Sequence, residues 1–483
     1  MGGGDRQSGH FGVDEGGSCA PSTNSTLGET VEAEALRRLR PTPTEERRLH
    51  RVIRTLIEHT ARNIEVVRTR RSLGYNIDIR LVGSVAKGTY IRKPDIDIFL
   101  MFPSGVEREE LKAVGLEIGH RCLEGGEELY AQHPYVRGGF MGYHVDMVPS
   151  YGVVDPSHII SAVDRTPFHT EYVKANLKPE QRDHVRLLKG FAKGLGVYGA
   201  ETTVKGFSGY LCELLIIHYG TFEAVLEHAS RDWHAGTVIA RPKNEGGRRD
   251  GKGSKGRREP LVFIDPVDPS RNVAAALSKE KLELFKLASK EFLKNPRIEF
   301  FFPNPPPLLS EEELKIKLRN FVGIYFKKPK LPDDIIYPQL RKAALNLENL
   351  LRQYDFKVKR KAWYANDEAF VALELEKKEL EKIKLHMGPP LHEKRHVEAF
   401  IKKWKNNKMA VEKPFIKDGR LWVKVRRKYT DALHLIEDFL HQINLGKNLN
   451  EIKNEMKICN GVELIKFNEF WSEYFCDKYP WER

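Results

Sequence analysis

Long apolar runs are missing from this chain of 483 residues, and with them any segment of the length and composition needed to span a bilayer as a helix. Cysteine is scarce. The five residues, Cys19, Cys122, Cys212, Cys459 and Cys476, are odd in number and form no C-x-x-C pair, which argues against both a disulfide framework and a structural zinc site. That usage suits a reducing cytosol, so a cytoplasmic protein is expected. No internal repeat is evident. The opening MGGGDRQSGHFGVDEGGSCAPSTNS lacks the apolar core of a secretory signal, and Arg6 stands where a myristoylation motif needs Ser or Thr. Residues 1–40 are read as a disordered Gly/Ser-rich tail.

What the chain has in excess is positive charge. Its formal net charge is +13, with 40% hydrophobic and 10% aromatic residues, an ordinary globular composition carrying a field that attracts polyanions. The length exceeds what one hydrophobic core usually organises, so several domains are expected. Helical periodicity begins after Pro41: Thr44 can cap, Glu45 and Glu46 favour a helix start, and Leu49, Val52, Ile53, Leu56 and Ile57 share a face. Strand-like runs follow at residues 77–82 (IDIRLV), 96–102 (IDIFLMF) and 143–148 (YHVDMV), with a helical stretch at 107–123. From about 163 to 294 the pattern is mainly helical, with helices at 183–195 and 208–219 and Ser208 as a cap. The stretch 241–259, rich in Gly, Lys and Arg, reads as a solvated loop or as a phosphate-touching one. The proline-rich PNPPPLL at 303–309 marks a boundary. Beyond it helices (339–354, 431–442) mix with strands (370–375, 421–425). The expected divisions are 1–40, 41–165, 166–302 and 303–483.

The chemistry concentrates in GSVAKGTYIRKPDIDIF, residues 83–99. Asp95 and Asp97 are two apart in a strand pattern, so both carboxylates leave one face, where they repel unless a cation separates them. Asp146, in the apolar HVDMV, would complete a three-carboxylate cluster able to hold two hard divalent ions, with Mg²⁺ the natural occupant. Gly83 and Ser84 offer close backbone approach and a hydroxyl to a phosphate, and Lys87 adds a point charge. Asp-x-Asp alone, or Gly-Ser alone, is commonly just a turn. Their combination with a third strand carboxylate is far more specific.

That combination resembles the catalytic signature of the DNA polymerase β-type nucleotidyltransferases. The segments SAVDRTPFH (161–169), VRLLKGFAKGLGVYGAETTVKGFSGYLCELLIIHYG (185–220) and IDPVDPSRNVAAALS (264–278) are similar in order and spacing to the archaeal-type, class I, CCA-adding enzymes. The likeness continues more loosely through YPQL (337–340), MGPP (387–390) and LGKNLNEI (445–452), covering nearly everything after residue 41. The resemblance implies an α+β multidomain chain: a polymerase β-like nucleotidyltransferase head, a helical central domain and an α+β C-terminal tRNA-binding region.

It further implies template-independent addition and repair of the 3′-terminal CCA of tRNA from CTP and ATP. Asp95, Asp97 and Asp146 would be the catalytic and metal-holding residues. Ser84, Lys87, His169, Lys189 and Tyr198 would bind nucleotide, and Arg271 would select the base. Relatives often carry arginine where Lys87 stands and glutamate where Asp95 stands, so a bidentate fork becomes a point charge and one carboxylate is a carbon shorter. Without the resemblance His169, Lys189, Tyr198 and Arg271 read as ordinary packing or solvated residues. The implied partner is tRNA, gripped at the acceptor stem and TΨC arm, with Trp404 and Trp422 either part of that surface or core. A homodimer is left open. The rival readings are a poly(A) polymerase or oligoadenylate-type synthetase of the same superfamily, or a noncatalytic RNA-binding protein.

Overall fold

The computed structural model describes residues 23–130, 134–240 and 259–483. The tail before Thr23 and the basic stretch up to residue 258 lie outside the described residues. The chain divides into two compact units: residues up to Gly126 with Arg137–Tyr198 and Phe207–Pro303, and Glu127–Val136 with Gly199–Gly206 and Asn304–Arg483. The segments 41–165 and 166–302, read from the sequence as separate domains, thus share one unit.

The first unit opens with α1 (Thr23–Leu39), which corrects the reading of a tail as far as residue 40. Past Gly28 the glycines stop, and Ala, Glu, Leu and Arg, all good helix formers, take over. The helix is docked at its end: Ala35 and Leu39 are buried, and Gly190 has no side chain where the Leu39 methyls sit. Next comes α2 (Pro43–Arg71), whose cap is Thr42 rather than Thr44. Proline is favoured in the first helical turn, so Pro43 opens the helix and leaves Thr42 as cap, closing a capping box with Glu45.

Then follow β1 (Asp78–Val82), the short α3 (Gly83–Lys87), β2 (Ile96–Phe102), α4 (Arg108–Cys122), β3 (Glu124–Tyr130) and β4 (Pro134–Phe140), of which Glu127–Tyr130 and Pro134–Val136 are grouped with the second unit, and β5 (Tyr143–Tyr151). The sheet order is β1-β2-β5-β4-β3, with β1 antiparallel and β5 parallel to β2. Central position explains the near-continuous apolar composition of β2, in which every residue except Asp97 is buried. Strands β3 and β4 were not foreseen, because EGGEELY and PYVRGGF are rich in Gly and Glu, which are depleted in strands.

Helices α5 (Arg165–Asn176), α6 (Gln181–Gly194), α7 (Gly209–Tyr219), α8 (Phe222–Arg231) and α9 (Lys279–Lys294) complete the unit, with a parallel strand pair β6 (Thr237–Ala240) and β7 (Leu261–Phe263) inserted before α9. Ser208 caps α7 as expected, accepting from the Leu211 amide. Phe191 of α6 centres an aromatic cluster with Phe222, Phe285, Phe292, Phe300 and Phe301.

In the second unit, α10 (Glu311–Leu318), β8 (Phe321–Lys327), α11 (Asp333–Gln353), β9 (Val358–Ala365) and β10 (Glu368–Leu375) lead into a smaller sheet of β11 (Ile383–Pro390), β12 (Phe415–Lys417) and β13 (Arg420–Arg426), with α12 (Lys394–Trp404) between β11 and β12. The chain ends with α13 (Ala432–Phe439), α14 (Lys447–Glu451), β14 (Lys457–Asn460) and α15 (Asn468–Tyr474). The main sheet, β14-β8-β10-β9, is antiparallel throughout and covered on both faces. Val322, Ile324, Val371 and Leu373 join the core under α11 and α13, while the alternate residues Phe321, Phe370 and Ala372 pack with Trp471 on the other side. Helix α11 runs back through Pro338 to Asp333, earlier than the proline suggested. Trp404 is buried against Val423 and Val425, and Trp422 donates to the Lys417 carbonyl. No described helix is long and apolar enough to cross a membrane, and Cys122, Cys212, Cys459 and Cys476 are free.

Candidate active site

Parallel pairing of β2 with β5 sets Asp97 directly opposite Asp146. Register partners share a face, so the two carboxylates face the same side of the sheet. The turn from β1 into α3 lies against them: Gly83 has φ +71°, and a Cβ there would fall 2.0 Å from Asp97 Oδ2. Only glycine meets both conditions. Burial, then the charges of Asp146 and Asp95, push the Asp97 carboxyl up to about 7, against the pull of Lys87 and Arg137. Asp95 departs from expectation in that it precedes the strand and is exposed, since Pro94 delays the start of pairing until Ile96. It is still near enough for its charge to act on Asp97.

Asp146 is held by a fork that the sequence did not reveal. Arg137 of β4 donates from Nε to Oδ1 and from Nη2 to Oδ2, both at 2.6 Å. Among the described residues no three His, Cys, Asp or Glu side chains converge as a ready-made ligand cage. The donor chemistry nevertheless fits a hard divalent cation: oxygen ligands only, with a half-buried Asp97 whose charged form is disfavoured by its like-charged neighbours.

Beside the carboxylates, Lys87 and Lys189 meet on one buried acid. Lys87 donates to Glu213 Oε2 at 2.6 Å and Lys189 to Oε1 at 3.0 Å, while Lys189 also reaches the Thr89 carbonyl and hydroxyl at 3.2 Å. All three side chains are almost fully buried. Burial raises the Glu213 carboxyl, but Lys189, Lys87 and the hydrogen bonds from Lys87 and Thr89 outweigh it and hold it at about 2. Arg186 fixes the segment after α3, donating to the Gly88 carbonyl at 2.7 Å and the Tyr90 carbonyl at 3.0 Å.

A second buried acid, Asp265, gathers two more of the expected residues. His169 Nε2 lies 2.9 Å from its Oδ2, Arg271 donates to the same oxygen at 2.9 Å, and the Tyr210 hydroxyl donates to Oδ1 at 3.1 Å. Burial acts to raise this carboxyl too, yet His169, the Val267 amide and Arg271 hold it at about 2. Tyr210 stacks on His169 at 4.0 Å between ring centroids, and Lys87 Nζ lies 5.6 Å from the Tyr210 ring centroid, so the two clusters adjoin. The Tyr198 hydroxyl comes within 2.9 Å of where a Cβ on Gly209 would stand, with Lys189 behind it. Ser84 is half-buried on α3, its carbonyl accepting from the Thr89 amide.

Six residues of this arrangement escaped the sequence reading: Thr89, Arg137, Arg186, Tyr210, Glu213 and Asp265. Glu213 did leave a signal, being the single acid in the otherwise apolar GYLCELLIIHY. Asp265 stood within IDPVDPSRN without a role. Arg137 and Tyr210 left none.

Family models match in order along the chain: a nucleotidyltransferase domain over residues 64–169, a tRNA nucleotidyltransferase second domain over 183–302 and a CCA-adding enzyme C-terminal domain over 318–461. The CCA-adding enzyme of Methanosarcina barkeri is 37% identical over 453 residues, covering 92% of this chain and 95% of its own. That of Archaeoglobus fulgidus is 38% identical, covering 82% and 89%, and that of Methanothermobacter thermautotrophicus 41%, covering 78% and 82%. Among solved structures, a Cid1 poly(U) polymerase matches at 14% identity and TM-score 0.41, covering 57% of this chain and 94% of that one. Nucleotidyltransferases of this superfamily use divalent metals. With the nucleotidyltransferase, second and C-terminal domains in sequence, and relatives matched over most of both chains, this protein belongs to the CCA-adding enzymes, the tRNA nucleotidyltransferases of archaeal type.

Proposed function

We propose that this enzyme builds and repairs the 3′-terminal CCA of tRNA, without a nucleic-acid template, from CTP and ATP. The acceptor 3′-oxygen attacks the α-phosphorus, a P–O bond forms, the bond to the β-phosphate oxygen breaks, and pyrophosphate leaves. The observation that carries the reading is the pairing of Asp97 with Asp146 under the Gly83 turn, beside two lysines held on Glu213.

In this reading Asp95, Asp97 and Asp146 would hold two divalent cations, Mg²⁺ by preference, supplying charge neutralisation at the triphosphate and acidification of the attacking hydroxyl. Asp146 takes the proton of that hydroxyl. Ser84 bonds a phosphate oxygen, and Lys87 and Lys189 add positive charge behind the triphosphate, their ammonium groups fixed in advance by Glu213. Tyr198 and His169 orient the nucleotide. Arg271, braced by Asp265, presents donors to the base edge. The segment 303–483 grips the acceptor stem and TΨC arm through phosphate and shape contacts, as A-form RNA requires. The setting is the cytoplasm.

The test is incubation with tRNA lacking CCA, Mg²⁺, and CTP or ATP singly and together, beside Asp97→Ala. Two additions from CTP alone, three from both and then a stop, with a dead control, support the reading. Open-ended tailing from ATP alone would transfer it to the poly(A) polymerases, and no incorporation by folded protein would leave an RNA-binding module.

A further inference from the structure

We infer that Arg137 is a positioning residue that competes with divalent cations for Asp146, so that an arginine as well as three carboxylates sets the metal affinity of this site. The inference rests on the carboxylate reading above, and it is carried by geometry. Arg137 engages both oxygens of Asp146 in a bidentate fork, 2.6 Å at each contact. A carboxylate that ligates a cation must present at least one oxygen to it, and a guanidinium and a divalent ion cannot share that oxygen without strong repulsion. Metal entry therefore weakens at least one arm of the fork.

The two ends of the pair differ in freedom. The Asp146 side chain is 13% exposed and set in a strand between two others, whereas the Arg137 side chain is 44% exposed. The acid stays and the arginine leaves. Until it leaves, the fork offsets the charge of Asp146 and holds its carboxylate in one orientation. Arginine suits this exchange better than lysine, because its planar fork matches a carboxylate while its weak hydration makes displacement into solvent easy.

Mn²⁺ serves as the probe, with the free aqueous ion counted by electron paramagnetic resonance in the presence of the full-length protein, without RNA or nucleotide. Arg137→Gln removes the competitor and keeps a polar side chain at an exposed position. Its Mn²⁺ dissociation constant is expected to fall by about threefold to tenfold, the size of an exposed charge-assisted contact. Arg137→Lys, which retains charge but makes one contact, should fall between wild type and Arg137→Gln. If Arg137→Gln does not fold by circular dichroism, tighter binding by Arg137→Lys than by wild type carries the same conclusion. Mn²⁺ binding by the folded variant that equals or is weaker than wild type overturns the proposal. Asp97→Asn separates the two levels: loss of Mn²⁺ binding there, with Arg137→Gln unchanged, defeats the competition alone, while wild-type binding by Asp97→Asn defeats the carboxylate reading beneath it.

Discussion

Two buried acids, Glu213 and Asp265, organise most of the basic side chains of the site. Glu213→Gln would leave Lys87 and Lys189 buried with a neutral partner, and breaking a buried pair of this kind costs about 3–5 kcal/mol. Chemical denaturation at pH 7 should show the loss. Because the folded-state carboxyl is held at about 2, below the ordinary 4.5, its stabilisation is complete above pH 4.5 and is lost as pH falls through 2. The gap between wild type and Glu213→Gln should accordingly narrow below pH 4.5, and a constant gap would refute the ionic account. Asp97 has the opposite sign. Its carboxyl is raised to about 7, so the metal-free fold loses stability as pH rises from about 4 to 7. Asp97→Asn is expected to raise the melting temperature of metal-free protein at pH 8, by about 1–3 kcal/mol of stability, while lowering kcat at least about a thousandfold. At this scale the gathering of Ser84, Lys87 and Asp97 in one short segment was legible because their spacing is local, whereas Asp146 meets Asp97 only through strand register. Glu213 and Arg137 were not legible, since what matters about each is a partner remote in sequence or across a hairpin.

Among elements, the β1–α3 turn is the most exacting. Gly83→Ala must strain a positive φ and push the Asp97 carboxylate aside, so activity should fall by at least about tenfold with a stability loss of about 1–3 kcal/mol. Steady-state kinetics beside thermal melting checks both. A variant with full activity would show that the turn tolerates displacement. Strand β2 was readable to the residue because it is central and apolar on both faces, whereas Asp95 was misread as part of it. Strands β3 and β4 were invisible, as Gly and Glu give no alternation to follow. Helix α1 was missed for a different reason: what ties it down is Leu39 over Gly190, 151 residues away in the chain.

For the whole molecule, a formal charge of +13 makes ionic strength a control variable. Affinity for tRNA should fall steeply and linearly on a log–log scale between about 50 and 200 mM salt, with a slope that reports the number of phosphates contacted. Filter binding with wild type and Asp97→Asn should give the same slope, since the slope counts phosphates neutralised by Lys and Arg and the substitution removes neither; a flat dependence would contradict it. By itself the sequence determined the order of parts, the carboxylate-bearing strands and the family, because these depend on residues near one another in the chain and on local periodicity. Only the tertiary structure decided that Asp97 faces Asp146, that Lys87 and Lys189 share Glu213, that His169 and Arg271 share Asp265, and that Arg137 holds Asp146. The physical reason is that a buried charge must be paired, and the partner is chosen by strand register and helix packing rather than by distance along the chain.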